Sequence, residues 1–169
     1  MLNTVKTSLG FFVAVIEKYT PLSFRGEGLE HTYNFLKISD DLTTSGQPTE
    51  QQIRLMKEAG YQTVINLAPR SVLENSLQTE RALLASLEMA YIHIPVDFRN
   101  PTQGNFDQFV SSMQAHSGDK VWVHCAANAR VSAFVYKYRC LVLGENKQVA
   151  EVDLKKIWEP WGVWKAFIT

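Results

Sequence analysis

Cysteine, net charge and metal-ligand clusters are scarce in this sequence, and each scarcity excludes a class of protein. Only two of the 169 residues are cysteine, too few for the disulfide framework of a small secreted domain. Seventeen basic residues balance seventeen acidic ones, so the chain has no net field to attract nucleic acid. No metal-ligand spacing relates His31, His93, His116 and Cys140. We therefore expect no nucleic-acid partner and no metal.

Long apolar runs are also missing. The run Leu9–Ile16 is far shorter than the ~20 residues that span a bilayer, and Glu17 and Lys18 follow it at once. It also lacks the small-residue cleavage site of a secretory signal. We predict that it forms a helix docked on the protein or on a second copy, which leaves a homodimer open. A targeting segment is the alternative, and a membrane partner is not expected.

Strand-like and helix-like segments alternate along the rest of the chain. This alternation predicts one α/β domain with a central, mostly parallel sheet flanked by helices. We place the domain at residues 34–169, after a helical or irregular extension at residues 1–33. The predicted strands are 35–38, 42–45, 63–67, 91–95 and 121–124, and the predicted helices are 50–59, 76–88, 105–115, 130–143 and one that begins near 149.

The segment Val121–Phe134 carries the main functional signal. In it an apolar strand runs into Cys125, four small or turn-forming residues, Arg130 and a helix. A thiol at such a junction faces backbone N–H groups that lack a partner within the helix, near the positive end of the helix dipole. Both effects stabilise a thiolate and an oxyanion beside it. The pattern favours a nucleophile in an anion site, and the alternative is a small buried core residue.

Two side chains after the loop extend this interpretation. Arg130 supplies a planar, permanently charged fork that suits two oxygens of one anion, unless it is simply a solvated helix residue. Ser132 can donate a hydroxyl hydrogen bond to the thiolate. His124 should point away from the sulfur if the strand alternates, so we interpret it as a hydrogen-bonding support. The other expected anion-binding residues are those of the loop and the first helical turn: Ala126, Ala127, Asn128, Ala129 and Val131.

The same residues resemble a known loop. His124-Cys125-x-x-Asn128-x-Arg130-x-Ser132 is similar to the phosphate-binding loop of the cysteine-dependent protein tyrosine and dual-specificity phosphatases, which has His-Cys, five residues, Arg and then Ser or Thr. Residues 34–143 more closely resemble a bacterial phosphatase-like family, some of whose members are fused to sulfide-metabolising hydrolases. The resemblance implies a dual-specificity-phosphatase-like fold. It also implies hydrolysis of a phosphorylated protein or small molecule through a phosphocysteine, with no cofactor.

One departure from the phosphatase pattern bears on the chemistry. Only four residues separate Cys125 from Arg130, so Val131 occupies the position of the phosphatase arginine. The ring of amides is tighter, and Arg130 is rotated by roughly 100° if the helix starts at the same place. A cysteine, four residues and an arginine also resembles the loop of rhodanese sulfurtransferases. Sulfur transfer through a Cys125 persulfide and a catalytically weak, anion-binding pseudophosphatase therefore stay alternatives.

A second departure is milder. Asn128 stands where phosphatases usually carry glycine, and asparagine is among the few other residues that tolerate a left-handed backbone.

Asp97 is the candidate for the acid that protonates the leaving oxygen. It follows the strand end Ile94–Pro95 and opens a loop that has Asn-Pro and Gly signals. The resemblance implies a proton-donating aspartate at such a strand end, and the alternative is a turn aspartate that bonds its own backbone. Arg70 and Arg99 could lie on the rim of the same site, although both also suit the protein surface.

The remaining predictions concern packing and compartment. Cys140 is expected in the core, inside the helix that follows the loop. The three tryptophans of the tail, Trp158, Trp161 and Trp164, are expected to be buried, with a dimer contact as the alternative. A reactive thiolate works best in a reducing compartment, so the sequence favours the cytoplasm.

Overall fold

The structure, a computed structural model, describes residues 4–5, 28–69 and 79–169. The predicted helix at Leu9–Ile16 lies outside these residues, and the division at residue 33 stays a prediction. Strands and helices alternate as expected. In chain order the elements are a 3₁₀ helix Leu29–His31, β1 Leu36–Lys37, β2 Leu42–Ser45, α1 Glu50–Glu58, β3 Thr63–Asn66, α2 Glu80–Ser86, β4 Ala90–His93, α3 Gln103–Ala115, β5 Val121–His124, α4 Ala129–Leu141, α5 Lys147–Ile157 and α6 Val163–Ile168.

The five strands form one sheet in the order β1-β2-β5-β3-β4. Strand β1 is antiparallel to β2, and the other three pairings are parallel. The predicted α/β domain with a mostly parallel sheet is therefore confirmed. The register places four residues in one row across the carboxyl edge of the sheet, where ligands collect in such folds: Ser45, His124, Asn66 and His93.

Alternating side chains direct each strand to two separate cores. Val64 and Trp122 pack on one face with residues of α1 and α2. Ile65 and Val123, one position further along each strand, pack on the other face with residues of α3, α4, α5 and α6. This period of two follows from the pleat of a β-strand. Residue 125 continues the second set, so Cys125 belongs to the larger cluster.

Capping side chains determine where the helices begin. A capping box of Thr49 and Gln52 opens α1. A second box, formed by Thr102 and Asn105, starts α3 at Gln103 rather than at the predicted residue 105. Asn146 caps α5 by a single bond, in which its side chain accepts from Gln148 N, and this moves the start of α5 to Lys147. Because these caps lie one residue outside the helix, they define its first turn more sharply than apolar spacing does.

Two packing predictions need correction. Cys140 is half-buried rather than in the core, because the last turn of α4 leaves the core and exposes Leu141. Trp158 and Trp164 are buried as predicted, but Trp161 is 66% exposed. Trp161 lies in the short break between α5 and α6.

A partly buried ion-pair network joins the end of α4 to α5. The Arg139 guanidinium donates to both carboxylate oxygens of Glu145, at 2.6 and 2.7 Å, and to Asp153 Oδ2 at 2.7 Å. These hydrogen bonds lower the pKa of the Glu145 carboxyl. A bidentate pair with a second acid fixes the guanidinium better than a single surface ion pair would. The network therefore anchors the far end of the helix that begins with the cysteine loop.

Candidate active site

Cys125 directly follows the last residue of β5, at the carboxyl edge of the sheet. Its amide donates to Ser45 O at 3.3 Å, and the carbonyl before it accepts from Leu67 N at 2.9 Å. These bonds extend the parallel pairing by one residue and fix the backbone that carries the thiol. The residue is only 1% exposed. A substrate can therefore reach the sulfur only if the groups above it move aside.

The loop after Cys125 turns its carbonyl groups away from its own interior. Ala126 O accepts from Gln47 N at 3.2 Å, and Ala127 O accepts from Asn34 Nδ2 at 2.9 Å. Within residues 28–69 and 79–169, no acceptor bonds the main-chain N–H groups of Ala126, Ala127 and Ala129. Unpaired amides at the start of a helix are the donors that bind anions in proteins.

Asn128 closes the loop in a left-handed conformation, with φ of +64°. Its Nδ2 donates to Asn34 O at 2.7 Å and to Thr44 Oγ1 at 3.0 Å. Asparagine therefore supplies what glycine would supply at this position, a positive φ, and adds two hydrogen bonds to the neighbouring segments. Helix α4 begins at the next residue.

Gly46 packs against the outside of the loop at a distance that excludes any side chain. A Cβ on Gly46 would lie 2.9 Å from Ala126 O and 2.7 Å from Tyr33 Cδ1. Backbone atoms yield at a high cost, so we expect Gly46→Ala to lower the free energy of unfolding by about 1–3 kcal/mol and to displace the loop. Urea unfolding and kcat/KM measure the two effects.

Gly118→Ala is the matched control for this substitution, because nothing lies within 4 Å of the added Cβ. The control should leave stability within about 0.5 kcal/mol of wild type. Equal stability of the two variants would show that Gly46 does not constrain the loop.

Arg130 and Val131 point to different environments. Arg130 is 3% exposed, and its Cζ lies 5.6 Å from the centroid of the Phe98 ring, on the segment after β4. Val131 is fully buried in the larger core cluster. The side chain at position 131 is therefore committed to the core. Arg130, in contrast, contacts Phe98 on the loop that carries Asp97.

Asp97 lies one residue from the ring that contacts Arg130. The tail holds this segment, because Trp164 Nε1 donates to Phe98 O at 2.8 Å and the two rings lie 5.3 Å apart. Asp97 itself is exposed, and its Oδ1 accepts from Arg99 N at 2.8 Å. Asp97 is thus the neighbour in the chain of the residue that contacts Arg130, and it forms the turn bond that was the alternative interpretation. Arg99 is exposed on the same turn.

Ser132 directs its hydroxyl toward the helix. Ser132 Oγ donates to Ala129 O at 3.0 Å and accepts from Trp158 Nε1 at 3.1 Å. Serine in a helix commonly bonds the backbone in this way. In this geometry the hydroxyl proton is not available to the Cys125 sulfur, and the predicted bond to the thiolate would need a rotation of the side chain.

His124 lies on the opposite face of β5 from the thiol and faces a buried acid. Its Nε2 is 2.8 Å from Glu80 Oε1, and both residues are almost completely buried. Glu80 also accepts from Asn66 Nδ2 at 2.7 Å and from Tyr91 Oη at 2.8 Å. Burial raises the pKa of Glu80, but attraction to His124 and these hydrogen bonds outweigh it and lower the pKa to about 2.

This depressed pKa makes folding sensitive to acid. Glu80 has an ordinary pKa of 4.5 and a folded value of about 2, so its contribution is complete above pH 4.5 and is lost as pH falls toward 2. The contribution is about 3 kcal/mol. We expect the free energy of unfolding to fall over this interval in urea titrations, and Glu80→Gln to flatten the fall. An equally steep fall in the variant would assign the acid sensitivity to other carboxyl groups.

Two expectations concern groups outside this cluster. Arg70 lies outside the described residues, so its place on the rim stays a prediction. Within residues 28–69 and 79–169, no group of three or more His, Cys, Asp and Glu side chains could hold a metal ion. In the same part of the chain, no helix combines the length and the apolar character that a membrane crossing requires.

Sequence reasoning missed four residues that shape this site: Asn34, Gly46, Glu80 and Phe98. Two of them have a signal in the sequence. Gly46 lies in a Ser-Gly-Gln-Pro turn after a strand, and Phe98 follows the candidate acid. Glu80 had no local signal, since a glutamate at the start of a helix is common for electrostatic reasons alone. Asn34 contacts the loop across 93 positions of sequence.

The fold and the cysteine loop define the class of cysteine-dependent phosphatases of the protein tyrosine and dual-specificity type. A family model described as a DSP-PTPase phosphatase fused to NAD+ kinase matches residues 30–159, and the chain belongs to this family. No curated protein matches the sequence significantly.

Solved structures agree with this assignment. A DUF442 protein from Shewanella putrefaciens CN-32, described as a candidate phosphatase, is 33% identical, with a TM-score of 0.72 over 83% of this chain and 91% of that one. TpbA of P. aeruginosa, solved with phosphotyrosine, is 22% identical, with a TM-score of 0.59 over 72% of each chain. The catalytic core of the PP-IP phosphatase Siw14 from S. cerevisiae, solved with citrate, is 13% identical, with a TM-score of 0.68 over 81% of this chain and 84% of that one. The last two show the fold alone.

Proposed function

We propose that the protein hydrolyses phosphomonoesters through a phosphocysteine at Cys125. The observation that carries the proposal is a set of three N–H groups in one loop with the thiol, those of Ala126, Ala127 and Ala129, for which the described part of the chain offers no acceptor. The buried guanidinium of Arg130 follows that loop. Donors fixed before the reaction stabilise developing charge most strongly in a site that excludes water.

The reaction proceeds in two displacements at phosphorus. The Cys125 thiolate attacks in line, an S–P bond forms, and the bond from phosphorus to the leaving oxygen breaks as Asp97 protonates that oxygen. Water then attacks the phosphocysteine, the S–P bond breaks, and the Asp97 carboxylate takes a proton from the water. The products are the alcohol and inorganic phosphate, and the thiolate is restored. The loop amides and Arg130 hold the equatorial oxygens throughout.

This chemistry defines the class of the substrate, a phosphorylated molecule, and does not select one compound. Two structural neighbours were solved with anions, phosphotyrosine for TpbA and citrate for Siw14. A loop of backbone donors recognises such oxygens by charge and geometry and does not depend on the rest of the molecule. We therefore propose a phosphomonoester or a similar oxyanion as the ligand, whether it belongs to a protein or to a small molecule.

Sulfur transfer is the second candidate, and the short loop favours it. Four residues between Cys125 and Arg130 give a smaller ring of amides than five would, which suits a persulfide sulfur. In this reaction the Cys125 thiolate would take a sulfur atom from thiosulfate, release sulfite and pass the sulfur to cyanide as thiocyanate. An anion-binding pseudophosphatase is the third candidate, and it would bind phosphate or sulfate without either turnover.

Paired assays on the wild-type protein separate the three candidates. We expect hydrolysis of an aryl phosphate with release of inorganic phosphate, and no formation of thiocyanate from thiosulfate and cyanide. Thiocyanate formation without phosphate release would replace the proposal with sulfur transfer. Binding of inorganic phosphate by calorimetry with no turnover in either assay would identify a pseudophosphatase.

A further inference from the structure

Glu80 lies at the junction of four segments beneath the cysteine loop, and the proposed reaction does not use it. The residue is 2% exposed. Oxygen Oε2 accepts from the end of β3 and from β4, and Oε1 faces Gln47 Nε2 at 3.3 Å and the ring of His124 at 2.8 Å. A buried carboxylate is costly unless donors surround it, and here they come from β3, β4, β5 and the turn after β2.

His124 depends on this carboxylate for its position. The ring is fully buried, and in the described part of the chain neither of its nitrogens makes a hydrogen bond of ordinary angle. The polar contact that holds the imidazole is the ion-pair approach of Nε2 to Glu80 Oε1, at 2.8 Å. The next residue in the chain is Cys125. Because the ring and the thiol are carried by adjacent residues, a displacement of the ring that shifts the His124 backbone would also shift the peptide that carries the thiol.

We propose that Glu80 is a positioning residue for the nucleophile: by anchoring the His124 ring it keeps the Cys125 sulfur aligned with the loop amides. The proposal rests on the assignment of Cys125 as the nucleophile. In this proposal the buried Glu80–His124 pair constrains the backbone at the end of β5, so that the thiolate and the amides that stabilise it keep their relative positions. Glu80 does not touch substrate in this arrangement.

Other charged and titratable groups lie near the Glu80–His124 pair and affect how it responds to pH. Tyr91 donates to the carboxylate from β4, and its ring stacks on His93 and lies under the guanidinium of Arg81, 5.0 Å from its centroid. Across the sheet, Cys125 belongs to the core cluster of the other face, and the guanidinium of Arg130 lies over Phe98, which packs against that cluster. Variants that keep these groups intact are needed to isolate Glu80.

The test compares thiolate formation in wild type and Glu80→Gln. The ultraviolet absorbance of the thiolate is followed against pH, and the same titration of each protein carrying Cys125→Ser is subtracted. Glutamine keeps the volume of the side chain but replaces one carboxylate oxygen with an NH₂ group. The donors that face this oxygen in the wild-type protein would then face another donor. We expect the midpoint of thiolate formation to rise by roughly one pH unit, a tenfold smaller thiolate population below the midpoint.

The direction of the shift decides the proposal. With the charge of His124 unchanged, removal of a buried negative charge would by loss of repulsion alone favour the thiolate and lower the midpoint. An upward shift under that condition is the result expected if loss of alignment outweighs loss of repulsion, as we propose. A downward shift, or no shift in a folded variant, would overturn the positioning role.

Two further variants guard against a merely structural effect. Glu145→Gln breaks a more exposed ion pair, with Arg139 at the far end of α4, and should lower stability without moving the thiolate midpoint. In a His124→Gln background, Glu80→Gln should add no further shift, because the pathway through the imidazole is already gone. A full additional shift there would show that Glu80 acts by another route and would overturn the proposal.

A smaller substitution serves if Glu80→Gln does not fold. Tyr91→Phe removes one donor to the carboxylate and leaves the charge in place. It should raise the midpoint in the same direction by a smaller amount, and an unchanged midpoint would count against the proposal.

This titration is independent of the proposed reaction, because it uses no substrate. Wild-type protein without phosphatase turnover, combined with the expected thiolate shift, would remove the proposed function and leave the role of Glu80 standing. If turnover is present, Glu80→Gln should lower kcat roughly tenfold with KM little changed, since the lost alignment acts on the reacting thiolate. A wild-type kcat and an unshifted thiolate midpoint in Glu80→Gln would overturn the positioning role of Glu80 and leave the proposed function standing.

Discussion

Cys125→Ser is expected to reduce hydrolysis of an aryl phosphate by on the order of 10⁴-fold or more, to the background of the assay. The thiolate is a strong nucleophile near neutral pH, whereas a serine hydroxyl would need a base to remove its proton. The hydroxyl of Ser132 is already bonded to the helix, and His124 lies on the far face of β5. Steady-state kcat/KM measures the loss.

The same variant should still bind inorganic phosphate, because the amides of Ala126, Ala127 and Ala129 are unchanged. Calorimetry therefore separates loss of chemistry from loss of the site. The matched control is Cys140→Ser, which alters the other free cysteine, half-buried on α4, and should keep full activity. Measurable turnover by Cys125→Ser, at more than a small fraction of wild type, would assign the nucleophile to another residue.

Local chemistry in the sequence was enough to predict the order of elements and the position of the loop. The apolar strand before Cys125 and the small residues after it follow rules that act over a few residues, namely strand alternation and the unpaired amides of a helix start. The tolerance of Asn128 for a positive φ is equally local, and the structure places it at +64°. Predictions of this kind need no knowledge of distant segments.

Contacts between distant segments could not be predicted in this way. The bond from Asn34 to Ala127 joins residues 93 positions apart. The partner of His124 is Glu80, on a helix that covers the opposite face of the sheet. Neither the strand pattern around His124 nor the helix pattern around Glu80 indicates that these two residues are partners. A single sequence contains nothing that pairs a buried histidine with one particular glutamate, because many acids are available and burial decides among them.

Side-chain rotation was a further limit. The sequence correctly placed Ser132 within the first turns of α4, but the proton of its hydroxyl goes to Ala129 O. The same holds for Asp97, whose position beside the loop follows from the strand end, while its turn bond to Arg99 N depends on the local backbone. Residue identity and element boundaries determine where a side chain starts. Competing acceptors nearby determine where it points.

The fold gives a physical reason why the arginine stands at position 130 and not at position 131. Position 131 faces the core, where Val131 is fully buried, so a guanidinium there would lose its hydration without gaining an anion. Position 130 is one residue, or roughly 100°, earlier on the helix, and its side chain contacts Phe98 above the sheet edge. A loop shortened by one residue thus requires the arginine to move with it.

Arg130→Lys is accordingly expected to lower kcat/KM for an aryl phosphate by roughly 10²- to 10³-fold. Lysine keeps the charge but loses the planar fork that holds two oxygens at once, and it loses much of the stacking on Phe98. The measurement is the steady-state rate together with calorimetric phosphate binding, which should also weaken because the clamp acts on the bound anion. Arg99→Lys is the control, since Arg99 is exposed on the adjacent turn and should tolerate the change. Wild-type kinetics for Arg130→Lys would show that the amides bind the anion without the guanidinium, and the clamp would have to be removed from the mechanism.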